Sequence, residues 1–296
     1  MTKLEKPTAT FRALLAKPNV TMMPSVGDAF SARLVAHEGF DAIMSSGNAT
    51  SATRLGLPDI GLMTMSENAE NAGRIAAASG LPTFADADTG YGNALSVRRT
   101  IMEFERAGVA AIMIEDQVTP KRCGMLAGKQ VVPAAEMEMK IKAALDARRD
   151  DDLVLCARTD ARAVEGLEAA IARAQIYQRA GADVIFVEGP RTIEEVHEVA
   201  RNIDIPLLYN VTPTGSVPPL DVGALEKMEY KLLICSVYAL LAAIPGIQTF
   251  LRTLKNTGDV AKAGAHAATM AEYLDILGFQ DWQKHEGEYA IVPNKD

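Results

Sequence analysis

Eight short apolar segments recur along the chain, and this repetition is the feature that most restricts its fold. The segments are VTMMPS (20–25), DAIMSS (41–46), PTFADAD (82–88), AAIMIEDQ (110–117), DLVLCARTD (152–160), DVIFVEG (183–189), IPLLYNVT (205–212) and KLLICSV (231–237). Each is apolar without polar alternation, which is typical of strands that are covered on both faces. Many end in a polar or charged residue, as a strand does when its end borders a site.

The intervals between these segments have helical spacing. Residues 162–180 predict one amphipathic helix, and Gly181 follows as its C-terminal stop. The apolar stripe of this helix consists of Val164, Leu167, Ile171 and Ala174. Residues 27–39 and 64–80 behave in the same way, and each closes on a glycine. Strand and helix therefore alternate, which predicts parallel βα units.

Two architectures satisfy this alternation, a doubly wound sheet and a closed (β/α)₈ barrel. The barrel is favoured by the count of eight, by a length near the typical ~250 residues and by polar residues at the ends of many different strands. A doubly wound sheet would gather its ligand groups at one switch point, and the glycine-rich GxGxxG after the first strand is absent. We predict an α/β fold, a TIM barrel over residues 1–255, with a C-terminal helical arm and tail over 256–296.

Charge and composition exclude several classes of function. The formal net charge of −8 argues against a nucleic-acid partner. The N-terminus lacks an apolar signal region, and no run of about 18 apolar residues suggests a membrane span, so a cytoplasmic enzyme is expected. Cys123, Cys156 and Cys235 have no CxxC spacing, so neither a disulfide framework nor a zinc site is indicated. The last two lie inside apolar strands and are predicted to be core residues.

Paired carboxylates close the third strand. Asp86 and Asp88 are two residues apart, so an extended strand presents both on the same face. Like charges this close need a cation or a raised pKa, and Asp59 and Glu115 lie near other strand ends. An oxygen-rich Mg²⁺ or Mn²⁺ site is therefore predicted. The alternative is that the DxD pair is a solvated loop or a helix cap.

An arginine and a glutamate end the fifth and sixth strands. Arg158 follows four apolar residues, and a buried guanidinium needs a partner. That partner is a substrate carboxylate or the acidic side chain of Glu188, and a purely structural ion pair between the two residues stays an open alternative.

Neutral polar groups follow two further strands. Asn210, Thr212 and Thr214 suit a substrate carboxylate without adding charge, although a plain turn has the same composition. The SSGNA stretch (45–49) offers hydroxyls and backbone amides as a cradle for an oxyanion or carboxylate.

A thiol lies among three cations in the loop after the fourth strand. Lys121, Arg122 and Lys129 predict a positive field that favours the thiolate of Cys123. Two glycines in the same stretch predict a loop that moves. The alternative is a half-exposed cysteine without a chemical role.

Taken together, these motifs resemble the isocitrate lyase and phosphoenolpyruvate mutase superfamily, and most closely its 2-methylisocitrate lyase-like and dimethylmalate lyase-like members. The matching elements are SSGNA, DADTGYGN, IEDQ, KRCG, ARTDA, a strand-end Glu and YNVTPT, in the family's order along the barrel. The resemblance implies a barrel whose eighth helix is exchanged with a neighbouring subunit, usually in a dimer of dimers.

The resemblance also implies roles for individual residues. The segment that holds the 2-oxo acid matches Ser46, Gly47 and Asn48. The Mg²⁺ site matches Asp86 and Asp88, with outer or water-mediated partners at Asp59 and Glu115. The substrate-carboxylate set matches Arg158, Glu188, Asn210, Thr212 and Thr214. The catalytic cysteine of the family's gating loop matches Cys123, so the implied catalytic residues are Cys123, Arg158 and Glu188.

The implied reaction is a carbon–carbon cleavage. A malate-type 2-hydroxy acid of the 2-methylisocitrate or dimethylmalate class gives a 2-oxo acid such as pyruvate and the enolate of a second acid, which Cys123 protonates. Two positions depart from the family pattern. Met125 replaces a histidine of the loop, and Met44 replaces a tyrosine. Both make the pocket more apolar, which suits a methyl-substituted substrate, but the first weakens proton delivery and the second leaves the hydroxyl base unassigned.

These departures keep other functions open. An oxaloacetate decarboxylase or hydrolase, or a phosphonomutase, would use the same oxo-acid site. Retention of Cys123 counts against the mutase branch, whose loop resembles Lys-Thr-Asn. A barrel that binds an oxo acid without turnover is the alternative from a different class.

Overall fold

The computed structural model describes residues 6–290 of the chain. Eight strands are formed within these residues, and each of the eight apolar segments supplies one of them. They are β1 Thr21–Val26, β2 Ile43–Ser45, β3 Thr83–Asp86, β4 Ala111–Glu115, β5 Val154–Thr159, β6 Val184–Val187, β7 Leu208–Val211 and β8 Leu232–Cys235.

All eight strands pair in parallel in a single sheet, in the order β6-β5-β4-β3-β2-β1-β8-β7. A parallel bridge between Ile185 and Leu207 joins its two ends, and the Ile185 amide donates to the Pro206 carbonyl across 3.0 Å. The sheet therefore curls into a nearly closed barrel, which confirms the (β/α)₈ prediction.

Helices alternate with the strands. They are α1 Pro7–Ala16, α2 Ala29–His37, α3 Gly47–Thr50, α4 Met65–Ser79, α5 Ala94–Arg106, α6 Ala134–Ala147, α7 Ala161–Val164, α8 Leu167–Arg179, α9 Ile193–Asn202 and α10 Val222–Lys227. A π-helical turn, Ser51–Leu55, follows α3. Local signals set the bounds: α4 begins at a capping box between Thr64 and Glu67 and ends at Gly80, whose φ is 66°.

The prediction of one continuous helix over 162–180 is wrong. The chain turns between α7 and α8 at Gly166, whose φ of 98° a residue with a side chain rarely adopts. Val164 is 42% exposed, whereas Ile171 and Ala174 of the predicted stripe are buried. The predicted periodicity holds for α8, and Gly166 separates it from the short helix α7.

The core has two layers because neighbouring residues of each strand face opposite sides of the sheet. In β4, Ala111 and Met113 belong to the cluster inside the barrel, and Ile112 and Ile114 belong to the cluster beneath the helices. Cys156 is a buried core residue of the inner cluster, as predicted, whereas Cys235, for which the same prediction was made, is only partly buried.

Helix α1 closes the amino-terminal end of the barrel. Phe11 packs with the inner cluster, and its ring lies 6.1 Å from that of Phe84. Arg12 donates to the carbonyl of Asp152 and to the carboxylate of Asp183, just before β5 and β6 begin. The carboxyl ends of the strands are left to build a site.

Contacts within the chain define two units, one up to Leu240 and one from Leu241 on. The second unit is helical and consists of most of α11 Tyr238–Thr257, with α12 Val260–Ala263, α13 Met270–Ile276 and α14 Phe279–Glu288. The predicted domain boundary after residue 255 lies within α11 and stays a prediction. Among the described helices, none has the length and apolar character that a bilayer crossing requires.

Candidate active site

Polar side chains from most of the strand ends converge on one small cavity at the carboxyl end of the barrel. The predicted site residues that line it are Ser46, Asn48, Asp59, Asp86, Cys123, Arg158, Glu188 and Asn210. Its open space is about 30 Å³, which holds only a few water molecules. A larger ligand therefore enters only after part of the lining has moved.

Asp86 is held at the end of β3 by two backbone amides. Its Oδ1 accepts from the Asp88 amide at 3.0 Å, and its Oδ2 accepts from the Gly47 amide at 3.3 Å. A side chain at Gly47 would place its Cβ only 3.0 Å from that Oδ2, so the close approach favours glycine. The SSGNA and DADTG motifs therefore meet, and the carboxylate faces the cavity.

Lys121 lies between two of the predicted metal-site carboxylates. Its Nζ is 2.5 Å from Asp59 Oδ1 and 2.7 Å from Asp88 Oδ1, and all three side chains are buried. Burial raises the pKa of Asp88 to about 6, and the negative charges of Asp86 and Asp59 add to this effect. The same carboxylates outweigh the burial of Lys121 and hold its pKa well above the usual range. Sequence reasoning placed this lysine beside the thiol, not among the acids.

Glu115 completes the acidic cluster. Its Oε2 lies 3.4 Å from Arg158 Nε, and its Oε1 is buried and accepts no hydrogen bond from the described residues. Burial raises its pKa well above the usual range. A buried carboxylate oxygen without a donor fits a cation or a metal-bound water, and the all-oxygen donor set is the kind that Mg²⁺ and Mn²⁺ prefer. Within residues 6–290, no three ligating side chains surround one point as a preformed ion site.

Arg158 crosses the site from the end of β5. Its strongest contact is a two-point pair with Asp160, from Nε to Oδ2 and from Nη2 to Oδ1, both at 2.9 Å. Its Nη2 is 3.9 Å from Glu188 Oε2, so the predicted Arg158–Glu188 pair is the longer one. The guanidinium also lies over the Phe186 ring, 5.3 Å from its centroid. Sequence reasoning missed Asp160, although its spacing of two from Arg158 signals the same face of a strand.

The loop between β4 and α6 covers the cavity, and we call its residues 118–130 the gating loop. A backbone hydrogen bond from Val118 to Gln130 closes its base at 2.9 Å. Gly124 packs so tightly at its tip that an added Cβ would lie 2.5 Å from Arg158 Nη2. The loop thus rests directly on the substrate arginine predicted from the sequence.

Cys123 points into the cavity from this loop. Its Sγ accepts a hydrogen bond from Asn48 Nδ2 at 3.2 Å, and its amide donates to the Asp59 carbonyl at 3.1 Å. The thiol is buried, as an acid that must be shielded from water would be.

The predicted thiolate at Cys123 is wrong. Lys121 is paired with Asp59 and Asp88, Lys129 is paired with Asp160 at 2.8 Å, and the side chain of Arg122 lies beside Gly128 on the exposed side of the loop. Burial raises the pKa of Cys123, and the nearby charge of Asp59 raises it further. The cysteine is therefore a neutral thiol, which is a proton donor rather than a nucleophile.

The neutral groups after β7 divide between the site and its edge. Asn210 Nδ2 donates to Glu188 Oε2 at 3.5 Å, and its Oδ1 accepts from the Ser236 hydroxyl at 2.8 Å. Thr212 and Thr214 share a hydrogen bond of 3.0 Å, and Thr214 is exposed. Thr212 borders a neighbouring cavity of about 320 Å³ behind the gating loop, so this pair lies beside the central cavity and not in it. Ser236, after β8, is a lining residue that sequence reasoning missed.

Met44, Met113, Met125 and Ile234 form the apolar part of the cavity wall. Met44 and Met125 are the two positions where a tyrosine and a histidine were expected from the resemblance. Beside the charged residues, they give the cavity one wall that accepts alkyl groups.

Comparison with known proteins places this arrangement in a family. Residues 11–255 match the family model of phosphoenolpyruvate phosphomutase. The 2,3-dimethylmalate lyase of Eubacterium barkeri is 39% identical over 95% of this chain and 98% of its own length. The 2-methylisocitrate lyase of Aeropyrum pernix is 41% identical over 97% of this chain and 92% of its own length.

Solved structures agree with this assignment. Oxaloacetate acetylhydrolase in complex with the inhibitor 3,3-difluorooxalacetate superposes with a TM-score of 0.90 at 34% identity, over 96% of this chain and 97% of that one. Phosphonopyruvate hydrolase in complex with oxalate and Mg²⁺ superposes with a TM-score of 0.87 at 28% identity, over 96% of this chain and 99% of that one.

Proposed function

The chain belongs to the phosphoenolpyruvate mutase and isocitrate lyase superfamily, and on that basis we propose that it is a Mg²⁺-dependent carbon–carbon lyase. Its substrate is a malate-type 2-hydroxy acid of the 2-methylisocitrate or 2,3-dimethylmalate class. The products are a 2-oxo acid such as pyruvate and a second carboxylic acid. The observation that carries the proposal is the meeting of a neutral thiol, a buried arginine and a carboxylate cluster around one cavity.

Superfamily members use a divalent metal, and the acidic cluster fits one. Asp86 and Asp88 would hold Mg²⁺ or Mn²⁺, with Asp59 and Glu115 as outer or water-mediated partners. When bound, the cation would polarise the oxygen on C2 and stabilise negative charge that develops there. The unpaired Oε1 of Glu115 supports this assignment.

Arg158 orients the substrate and balances its charge. Its guanidinium is fixed on one edge by Asp160, which leaves Nη1 and part of Nη2 to meet a carboxylate. Ser46, Gly47, Asn48, Glu188 and Asn210 surround the same space with hydroxyl, amide and carboxylate groups. Thr212 lines the neighbouring cavity, and its hydroxyl shares a hydrogen bond with that of Thr214. A fixed arginine stabilises the negative charge of the transition state without rearranging first.

Cys123 completes the reaction as the acid. The C2 hydroxyl gives its proton to a base and becomes the carbonyl of the 2-oxo acid, and cleavage of the C2–C3 bond leaves its electron pair on the fragment that contains C3, as an enolate. The Cys123 Sγ–H transfers its proton to C3, which leaves a thiolate beside the amide of Asn48. The raised pKa of the thiol keeps that proton in place until an enolate accepts it. The closed gating loop excludes water, which would otherwise protonate the enolate.

The test is a direct assay of the purified protein with Mg²⁺. It is incubated separately with 2-methylisocitrate, 2,3-dimethylmalate and oxaloacetate, and pyruvate is followed with a coupled dehydrogenase. We expect pyruvate from a hydroxy acid, and loss of the signal when EDTA removes the metal. Absence of pyruvate from both hydroxy acids would overturn the proposal.

A second candidate is cleavage of oxaloacetate by decarboxylation or hydrolysis. The structural likeness to oxaloacetate acetylhydrolase favours it, as does Met125 in place of a histidine beside the thiol. Pyruvate from oxaloacetate alone supports decarboxylation, and oxalate from oxaloacetate supports hydrolysis. Tight binding of oxalate with no turnover of any of the three acids supports a non-catalytic oxo-acid-binding barrel. A phosphonomutase would isomerise phosphoenolpyruvate, a substrate for which the thiol has no use.

We also propose a homo-oligomer, a dimer of dimers that exchanges its C-terminal helices, in the cytoplasm. The support in the chain is a set of exposed apolar side chains on α11, which a partner would cover. They are Leu241, Ile244, Ile247, Phe250 and Leu251. The three cysteines are free, as in a reducing compartment. Light scattering after size exclusion should give four times the 31.7 kDa chain mass, and a monomeric mass would contradict the assembly.

A further inference from the structure

We propose that Asp160 is a positioning residue that connects the gating loop to the substrate arginine, so that the loop closes only over an Arg158 already held in place. The proposal rests on the proposed function in taking Arg158 as the group that meets the substrate. It adds a link between Asp160 and the gating loop that the chemistry itself does not require.

One oxygen atom makes the link. Asp160 Oδ1 accepts from Arg158 Nη2 at 2.9 Å and from Lys129 Nζ at 2.8 Å, while its Oδ2 accepts from Arg158 Nε at 2.9 Å. Lys129 belongs to the gating loop, and Arg158 belongs to β5. A loop cation and a barrel cation therefore share a single buried carboxylate.

The loop is tied to the same arginine a second time. Lys129 Nζ also donates to the Gly124 carbonyl at 2.8 Å, and Gly124 packs directly against Arg158 Nη2. Arg158 Nη2 therefore contacts Asp160 Oδ1 as well as the Gly124 backbone. The closed position of the tip and the orientation of the arginine therefore depend on each other.

Asp160 is itself firmly placed. It is fully buried, and its amide donates to Asp116 Oδ1 at 2.9 Å. Asp116 accepts in turn from the Thr159 hydroxyl at 2.7 Å and the Tyr177 hydroxyl at 2.8 Å. This network orders the carboxylate on the barrel side, so closure of the loop brings Lys129 to a preformed partner.

The charges explain why closure would be favoured. Asp160 carries one negative charge and meets two cations when the loop is closed, and the neighbouring carboxylate of Glu188 lies near the second cation, Arg158. An open loop returns Lys129 to water and exposes the carboxylate on one side. Charge-assisted hydrogen bonds of this kind are the stronger class in proteins.

The test measures loop opening through the thiol and needs no turnover. The rate at which iodoacetamide alkylates Cys123 is measured by mass spectrometry in the wild type, Lys129→Met, Asp160→Asn and the double variant. Arg122→Met is the matched control. It removes a cation from the same loop, but the side chain of Arg122 is exposed and lies beside Gly128. Each protein is measured alone and with Mg²⁺ and oxalate.

We expect Lys129→Met to alkylate roughly tenfold faster than wild type, because it loses a hydrogen bond to a charged group that holds the loop closed. Removal of a nearby positive charge by itself would raise the thiol pKa and slow the reaction, so an increase reports opening. The double variant should alkylate no faster than Asp160→Asn, because both changes break the same link. Arg122→Met should alkylate at the wild-type rate.

An unchanged alkylation rate in Lys129→Met would overturn the link. So would a double variant whose rate increase equals the product of the increases in the two single variants. If Asp160→Asn does not fold, the alkylation rates of Lys129→Met and Arg122→Met are enough to test the link. In an active enzyme, Lys129→Met should lower kcat more than it raises KM, because substrate still meets Arg158. The alkylation result stands even if no hydroxy acid is cleaved, so failure of the link and failure of the lyase proposal are distinguishable.

Discussion

The side chain of Asn48 donates a hydrogen bond to the sulfur of Cys123 across 3.2 Å. Asn48 belongs to the short helix after β2, and Cys123 belongs to the gating loop, so the bond forms only when the loop covers the cavity. It places the thiol over the acidic cluster and offers a donor to the thiolate that forms when the proton leaves. This contact joins closure of the loop to the chemistry proposed for it.

Asn48→Ala should lower kcat by roughly tenfold, the effect of losing one hydrogen bond to a charged group. The KM should change less, since Arg158 and Asp86 are left intact. Steady-state kinetics on the preferred hydroxy acid measures both constants. Asn202→Ala, at the end of α9, is the control and should behave as wild type. Unchanged kcat in Asn48→Ala would remove Asn48 from the proton transfer.

Alkylation of Cys123 should report its raised pKa. Burial disfavours the thiolate, so the protonated form should dominate to a higher pH than in a free thiol, whose pKa is about 8.5. The rate constant for iodoacetamide, assigned to Cys123 by mass spectrometry, should therefore rise with pH and reach half its maximum above that value. A midpoint below that of a free thiol would mean that the cysteine is a thiolate after all.

Gly124→Ala should block closure of the gating loop. The added Cβ would lie 2.5 Å from Arg158 Nη2 and 2.9 Å from Glu188 Oε1, so the loop tip or the arginine must move. A displacement of about 1 Å at a reacting group costs up to about a hundredfold in rate. We expect a loss of this order in kcat/KM with little change in melting temperature.

Gly223→Ala is the matched control for this glycine. Its added Cβ would meet Asp221 at an ordinary 3.6 Å, on α10 away from the cavity. Wild-type activity in Gly124→Ala would mean that the loop does not need to approach the arginine this closely.

Lys121→Met should weaken the protein without metal and increase its response to Mg²⁺. The substitution leaves Asp59 and Asp88 buried without their cation, and breaking a buried pair costs about 3–5 kcal/mol of unfolding free energy. Added Mg²⁺ should restore more stability to Lys121→Met than to wild type, because no ammonium competes for the carboxylates.

Thermal unfolding with and without Mg²⁺ measures this difference. Lys142→Met, which breaks an exposed pair with Glu138 on α6, should lose little stability and show the wild-type response to the ion. Equal responses of Lys121→Met and wild type to Mg²⁺ would contradict a metal site at these aspartates.

The barrel was predictable because strands covered on both faces leave a local signal. Each of the eight apolar runs holds one strand, and the polar residue that ends a run comes to the mouth of the barrel, as Asp86 and Arg158 do. Loop geometry leaves no such signal. The partners of Lys121 and Lys129 depend on the path of the gating loop, so their positive field was assigned to the thiol although both lysines pair with aspartates.

Asp160 was missed for a related reason. Its position in ARTDA shows that it shares a face with Arg158, but the choice between Asp160 and Glu188 as the closer partner depends on distances of 2.9 and 3.9 Å. The break at Gly166 is different, because the glycine was visible in the sequence and a helical stripe was continued across it.

The central claim is that the neutral thiol of Cys123 is the acid of a carbon–carbon lyase. The most direct measurement compares pyruvate release by the wild type and Cys123→Ser from 2,3-dimethylmalate and 2-methylisocitrate with Mg²⁺, together with calorimetric binding of oxalate to both proteins. We predict pyruvate release by the wild type, a rate at least about a hundredfold lower in Cys123→Ser, and oxalate affinities that agree within a few-fold. Full activity in Cys123→Ser would contradict the claim.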